Sequence, residues 1–423
     1  MKALLSYLII ALVSTASLAQ SIDLMEAYTK MEAHYPALQQ SNILIRQHDL
    51  ETQKIKTSRY PSIALKADGR LQSEAPKLDL PEGLNFPINI DLPLYSLKAY
   101  GEIQYQVLDG GVSKAKQKQL TAKHLAALQD VDVTKFSLRE KINQLFVSIL
   151  QIREQERLFD ISLDNLNSRI ESVKAGVDEG VILESQLTIL QVKQYEIQAE
   201  KDDLYYKELS LVNTLSYFIG EKLDVNTNLI LPELGDPKII PQLNRPESGK
   251  FQAQRQATSA VSDLIDARRN PKLMAFAQGG IGHPNPLNFL ENETAPYGLV
   301  GLQFIWPLSG RKQDRIDREL LTVQSDMIST AENTFEYNLN AANSKYLTEI
   351  ERINLQVESS QEVATMQKQL LDQMAVMLDE GTITTSDYTD QLNKELLARQ
   401  KVVILQTQLQ NTQLDFWNLR GGF

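Results

Sequence analysis

The amino-acid sequence predicts a mainly α fold with a small β part: long antiparallel coiled-coil helices and four strands, arranged as two internal repeats. Three observations carry this reading. Four tracts, Val112 to Ala175, Val181 to Ile219, Arg311 to Glu380 and Thr382 to Arg420, contain neither glycine nor proline. Apolar residues in the first tract advance by alternate steps of four and three. Two pairs of alternating stretches stand ahead of the first and third tracts.

Residues 1–19 come first. Lys2 supplies a positive charge, Ala3 to Val13 an apolar run, and Ser17 and Ala19 the small residues of a cleavage site. The segment reads as an export signal, with the mature chain beginning near Gln20. The chain has no cysteine, so disulfides and thiolate metal sites are excluded. After residue 20 no apolar run approaches the length of a membrane-spanning helix. The chain therefore either stays soluble or enters a membrane as strands. Its net charge of -11 argues against a nucleic-acid partner, because phosphates would be repelled.

The first repeat is expected over 20–225. It opens on a helical segment from Ser21 to about Ser58, followed by Pro61 and strands at about 62–74 and 96–108. A long helix over 112–176 and a returning helix over 181–219 complete it. Helices of the first and third tracts would each reach on the order of 100 Å. In the first, Leu138, Ile142, Leu145, Ile149 and Ile152, then Phe159, Leu163, Leu166, Ile170, Val173 and Val177, form a heptad seam interrupted once. So narrow a stripe demands a partner helix along its length.

Residues 226–244, with Pro232, Pro237 and Pro241, read as a linker running outside the helices. The second repeat, 245–423, has the same order: a helix from Pro246 to about Arg269, Pro271, strands at about 272–282 and 297–306, a long helix over 311–380 and a returning helix over 382–420. Ile316, Leu320, Val323 and Met327 repeat the heptad steps. Asp178-Glu179-Gly180 and Asp379-Glu380-Gly381 close the long helices of the two halves, about two hundred residues apart.

The first strand pair has an apolar face and a largely ionic one. Ile63, Leu65, Ala67, Gly69 and Leu71 alternate with Lys66, Asp68, Arg70 and Gln72; Leu97, Ala99, Ile103 and Tyr105 alternate with Lys98, Tyr100, Glu102 and Gln104. About ten residues of this pattern suit a tilted strand with lipid on one side and water on the other. A soluble sheet packed on one side gives the same alternation. The second pair is less regular: Met274, Phe276, Val300, Leu302 and Phe304 put bulk where polar residues are expected. Tyr297 and Trp306 suit membrane-interface positions or ordinary core ones. Four strands cannot close a barrel, so closure implies an oligomer.

These features together resemble the TolC-type outer-membrane efflux proteins. Ile22 to Ala27 followed by Tyr35-Pro36 is similar to the family's opening signature, with Tyr35 in place of its asparagine. Tyr60-Pro61-Ser62 and Asn270-Pro271 are similar to its pre-strand prolines. Leu108-Asp109-Gly110-Gly111 is similar to its strand-to-helix motif, and Arg245-Pro246-Glu247 to the opening of its second half; Ser309 stands where the first half has Asp109. The resemblance implies a homotrimer with four strands per protomer in a 12-stranded transmembrane β-barrel in the outer membrane. It implies a helical tunnel in the periplasm, and a periplasmic adaptor and inner-membrane transporter as partners.

Gly381 to Asp390 resembles the family's entrance segment. Asp387 and Asp390, three apart, share a helix face. In a trimer they would stack as two carboxylate rings, favouring cations and raising one another's pKa values. A gate-lining role is expected, against a plain solvated face or a capping contribution from Ser386. Gln186 holds the position equivalent to Asp387, with Glu184 nearby. The turns at Gly180 and Gly381, with Glu179 and Glu380, are the expected adaptor-docking points, although glycine also serves such turns for purely conformational reasons.

No catalytic motif, cofactor loop or metal-ligand spacing stands out; His34, His48, His124 and His283 are scattered. The reading is a passive exit duct for a tripartite efflux or type I secretion system. A soluble periplasmic coiled-coil adaptor or scaffold is the alternative.

Overall fold

The computed structural model describes residues 21–74, 93–233, 244–288 and 291–422. The export-signal reading of residues 1–19 and much of the linker reading lie outside them. The chain divides into two compact units.

One unit comprises the described residues of Met1–Gln40, Asp130–Ser248 and Asn333–Phe423. It begins with β1 (Ser21–Asp23) and α1 (Leu24–His34). The Asp23 carboxylate caps α1 by accepting from the Glu26 N–H at 2.7 Å. The leading segment is not one helix, as expected from the sequence, but two. Tyr35 is extended, Pro36 opens a 3-10 turn to Gln39, and α2 (Gln40–Thr57) follows, all but its first residue in the second unit. A residue before proline is driven out of the helical region, which enforces the break.

The other elements of this unit are the greater part of α3 (Val112–Asp178), α4 (Glu184–Ile219), β4 (Asn228–Ile230), most of α6 (Arg311–Asp379) and α7 (Thr385–Leu419). Their heptad faces share one core. Phe159, Leu163, Leu166 and Val173 of α3 meet Leu190 and Ile197 of α4, Leu371 and Ala375 of α6, and Tyr388, Leu392 and Leu396 of α7. Leu145 and Ile152 of the expected seam are only partly buried, while Phe146 beside them is fully buried.

The segment read as a linker contains β4, which pairs in parallel with β1. The half-buried Arg153 side chain holds the approach to β4. Its guanidinium donates to the Val225 carbonyl at 2.6 Å, the Thr227 carbonyl at 2.8 Å and the Glu208 carboxylate at 2.5 Å. Three charge-assisted bonds replace the water the loop would otherwise need.

The second unit comprises the described residues of Ser41–Gln129 and Gly249–Glu332. Its centre is an antiparallel sheet of β2 (Ser62–Leu71), β3 (Tyr95–Leu108), β5 (Lys272–His283) and β6 (Ala295–Ile305), paired in the order β2-β3-β5-β6. α5 (Pro246–Arg268) lies mostly in this unit and packs Leu264 and Ala267 against Ala115 of α3. α6 meets α5 through ion pairs, Arg318–Asp266 and Arg255–Glu332. Its apolar stripe Ile316, Leu320, Val323 and Met327 is exposed. The expected partner helix for that stripe is therefore not supplied by the described residues, because α6 turns its charged edge to α5 instead.

The strand-to-helix elbow at Asp109-Gly110-Gly111 needs its glycines. Gly110 and Gly111 have φ of +68° and +86°, and a Cβ on Gly110 would lie 2.9 Å from Asn270. The Asp109 carboxylate accepts from the Gly111 and Ser113 N–H groups at 2.9 and 2.8 Å.

Candidate functional site

Two features concentrate the chemistry, one in each unit. The first is the sheet. Paired residues share a face, so register decides what each side presents. Ile63 pairs with Ile103, Ile103 with Ala277, and Ala277 with Val300; Leu65 pairs with Gly101, and Ala275 with Leu302. Val300, Leu302 and Phe304 thereby join the apolar face, not the polar one suggested by the sequence. That face is uncovered: Leu65 is 91% exposed and Val300 80%.

The opposite face carries Lys66, Asp68, Lys98, Tyr100, Glu102, Gln104 and Gln278, together with Met274 and Phe276. Several of its polar groups are tied to one another. The nearly covered Glu102 carboxylate pairs with Lys66 and accepts from Gln104 at 2.8 Å and Gln278 at 3.2 Å. The Tyr100 hydroxyl donates to Asp68 at 2.9 Å. Tyr297 also lies on this face, 9% exposed, with its ring 6.3 Å from that of Tyr100. Its partner Gly280 leaves room for the two rings to close over the sheet. Trp306 is exposed.

The second feature is the pair of hairpin turns. After α3, the Gly180 N–H donates to the Val177 carbonyl at 2.9 Å and Val181 to Gly176 at 2.9 Å. After α6, Gly381 donates to Leu378 at 3.0 Å and Thr382 to Met377 at 2.9 Å. Both glycines are left-handed, with φ of +74° and +70°. A side chain with a Cβ would strain either turn, so the conformational role of both glycines is plain. Glu179 and Glu380 are exposed. The first turn also exposes Val181 and Leu183, while Ile182 of the first turn and Ile383 of the second pack against the core.

Asp387 and Asp390 are both exposed on α7. The Asp387 carboxylate is engaged within its own helix. Thr384 is the N-cap, and Asp387 accepts from its hydroxyl at 2.6 Å and its N–H at 3.0 Å, completing a capping box. The cap is Thr384, not Ser386. These bonds hold the Asp387 carboxyl of the single chain below its usual range. Gln186, near the start of α4, accepts from the Thr385 N–H at 3.0 Å.

Residues beyond the expected set complete the region. Arg169 donates to Asp379 at 2.6 Å and lies 6.0 Å above the buried Tyr388 ring. Gln391, also buried, donates to the Gln367 side chain at 2.6 Å. Arg169 flanks the seam residue Ile170, a signal that marks it as a bridging position; its partner across the fold leaves no local trace in sequence.

His48 and His124 stack at 4.6 Å, but no group of three or more ligating residues could hold a metal among the described residues. No described helix is long and apolar enough to cross a membrane.

No family model and no curated relative matches the chain. Solved structures do. The outer membrane protein VceC of Vibrio cholerae is 14% identical, covers 95% of this chain and 96% of its own, and superposes with a TM-score of 0.65. The CmeC outer membrane channel of Campylobacter jejuni is 14% identical over 94% of this chain and 85% of its own, at 0.64. The open state of the MtrE outer membrane channel of Neisseria gonorrhoeae is 12% identical over 94% and 89%, at 0.65. The fold of this chain is that of these channels, in line with the resemblance to TolC-type proteins.

Proposed function

We propose that this chain, sharing the fold of outer-membrane efflux channels, is the outer-membrane exit duct of a tripartite efflux or type I secretion system. Three copies close a 12-stranded barrel, each giving four strands, and their helices form the periplasmic tunnel. Asp387 and Asp390 line its gate. The turns at Gly180 and Gly381, with Glu179 and Glu380, receive a periplasmic adaptor that links the duct to an inner-membrane transporter. The two halves of the chain are structural repeats of one unit.

One observation carries the reading: a four-stranded sheet with an uncovered apolar face, a charged polar face centred on the Lys66–Glu102 pair, and β2 and β6 at its edges. Moving Ile63, Leu65, Leu71, Ile103, Val300, Leu302 and Phe304 out of water stabilises the chain by on the order of 10 kcal/mol. A soluble adaptor would leave that face wet and its edge strands open to aggregation. Lipid covers the face, and strand pairing between copies removes the edges.

Leu65→Arg tests this directly. A charge on the lipid face near the membrane midplane costs about 2–4 kcal/mol. The variant should be depleted from outer-membrane fractions and from the detergent-extracted, heat-modifiable trimer. A detergent-free soluble wild type, with Leu65→Arg equally well folded, would establish the scaffold reading instead.

A further inference from the structure

We propose that the barrel segment of this duct favours anionic cargo, because the polar face of the sheet carries a surplus of fixed positive charge. The proposal rests on the channel reading above. Every Lys, Arg, Asp and Glu in β2, β3, β5 and β6 lies on that face: Lys66, Arg70, Lys98 and Lys272 against Asp68 and Glu102. Four cations less two carboxylates leaves two positive charges per chain. The chain as a whole has the opposite balance, 54 acidic residues to 43 basic ones. The reversal belongs to the sheet.

Both carboxylates are already committed. Glu102 is held by Lys66, Gln104 and Gln278, and Asp68 accepts from the Tyr100 hydroxyl and sits directly across from Lys98. Among the described residues, Arg70, Lys98 and Lys272 form no ion pair. Arg70 and Lys98 stand toward the strand ends that are joined by hairpin connections, and Lys272 stands at the opposite end of the sheet. Positive charge therefore occurs at both ends of the polar face, with the neutralised Lys66–Glu102 pair between. In a narrow aqueous lumen walled by lipid, such fixed charges concentrate counter-ions and repel co-ions. Basic rings of this kind admit anions, and lumen substitutions in barrels change selectivity without harming the lipid face.

The test is the reversal potential of the purified full-length protein in planar bilayers under a KCl gradient. An Asp387→Asn/Asp390→Asn background removes the proposed gate carboxylates. Adding Arg70→Gln, Lys98→Gln and Lys272→Gln should lower the chloride-to-potassium permeability ratio by about threefold or more. As a second measurement, hexametaphosphate should block the unaltered channel, and the triple substitution should relieve the block. A conducting channel whose reversal potential ignores the three substitutions, or whose current ignores the polyanion, overturns the inference and leaves the channel reading standing. Absence of conductance in every variant overturns the channel reading and takes the inference with it.

Discussion

The Gln186 side-chain oxygen accepts the backbone N–H of Thr385 across 3.0 Å, joining the start of the first returning helix to the start of the second. Thr385 is buried. Loss of the acceptor leaves a covered donor without a partner, which costs about 1–3 kcal/mol. Gln186→Ala should therefore lower the thermal midpoint and raise hydrogen exchange at the beginning of α7, measured by mass spectrometry, while Gln186→Glu retains an acceptor and most of the stability.

Arg169 and Asp379 make the companion link between α3 and α6. Both groups are partly exposed, so solvent screening limits their coupling to about 0.5–1 kcal/mol, measurable by a double-mutant cycle with Ala and Asn. If this pair also restrains the gate, Arg169→Ala should raise spontaneous conductance in planar bilayers, with Arg169→Lys intermediate.

The capping box at Thr384 and Asp387 gives α7 an acid-sensitive start. Asp387 has a folded-state pKa below its unfolded one, so its contribution is present above the ordinary aspartate range and disappears as pH falls through the depressed value. Exchange of the first α7 amides should quicken on acidification below about pH 4. Asp387→Asn should remove that pH step, and it should also reduce cation preference if the carboxylate lines the gate.

Asp415 has the opposite sign. Burial, with Glu140 adding repulsion, pushes its carboxyl up to about 6. The folded state then binds more protons than the unfolded one between about pH 4 and 6, so stability falls as pH rises through that window. After allowance for partial solvent exposure, the change is about 1–2 kcal/mol. Asp415→Asn should flatten the pH profile of the thermal midpoint and stabilise the protein at pH 7.

Two neighbouring glycines should respond differently to enlargement. A Cβ at Gly280 would lie 2.2 Å from the Ala99 carbonyl oxygen and 2.5 Å from Tyr100 Cα, both backbone atoms that cannot yield. At Gly279 nothing lies within 4 Å. Gly280→Val should abolish the proposed heat-modifiable trimer on gels, and Gly279→Val, on the apolar face, should preserve it.

The mainly helical class with its small sheet was legible in the sequence because its signals are local. Absence of glycine and proline permits unbroken helices, the steps between Phe159 and Val177 place one face inward, and alternation in β2 and β3 separates lipid-like from water-like sides. What only the tertiary structure decided depends on pairings between residues far apart in the chain. Register across β3, β5 and β6 assigned Val300 and Leu302 to the apolar face and Tyr297 to the polar one, since a one-residue slip exchanges every side chain. Likewise Arg169 finds Asp379, and Gln186 finds Thr385, only after folding brings distant segments together, because neither contact leaves a periodicity or motif along the chain.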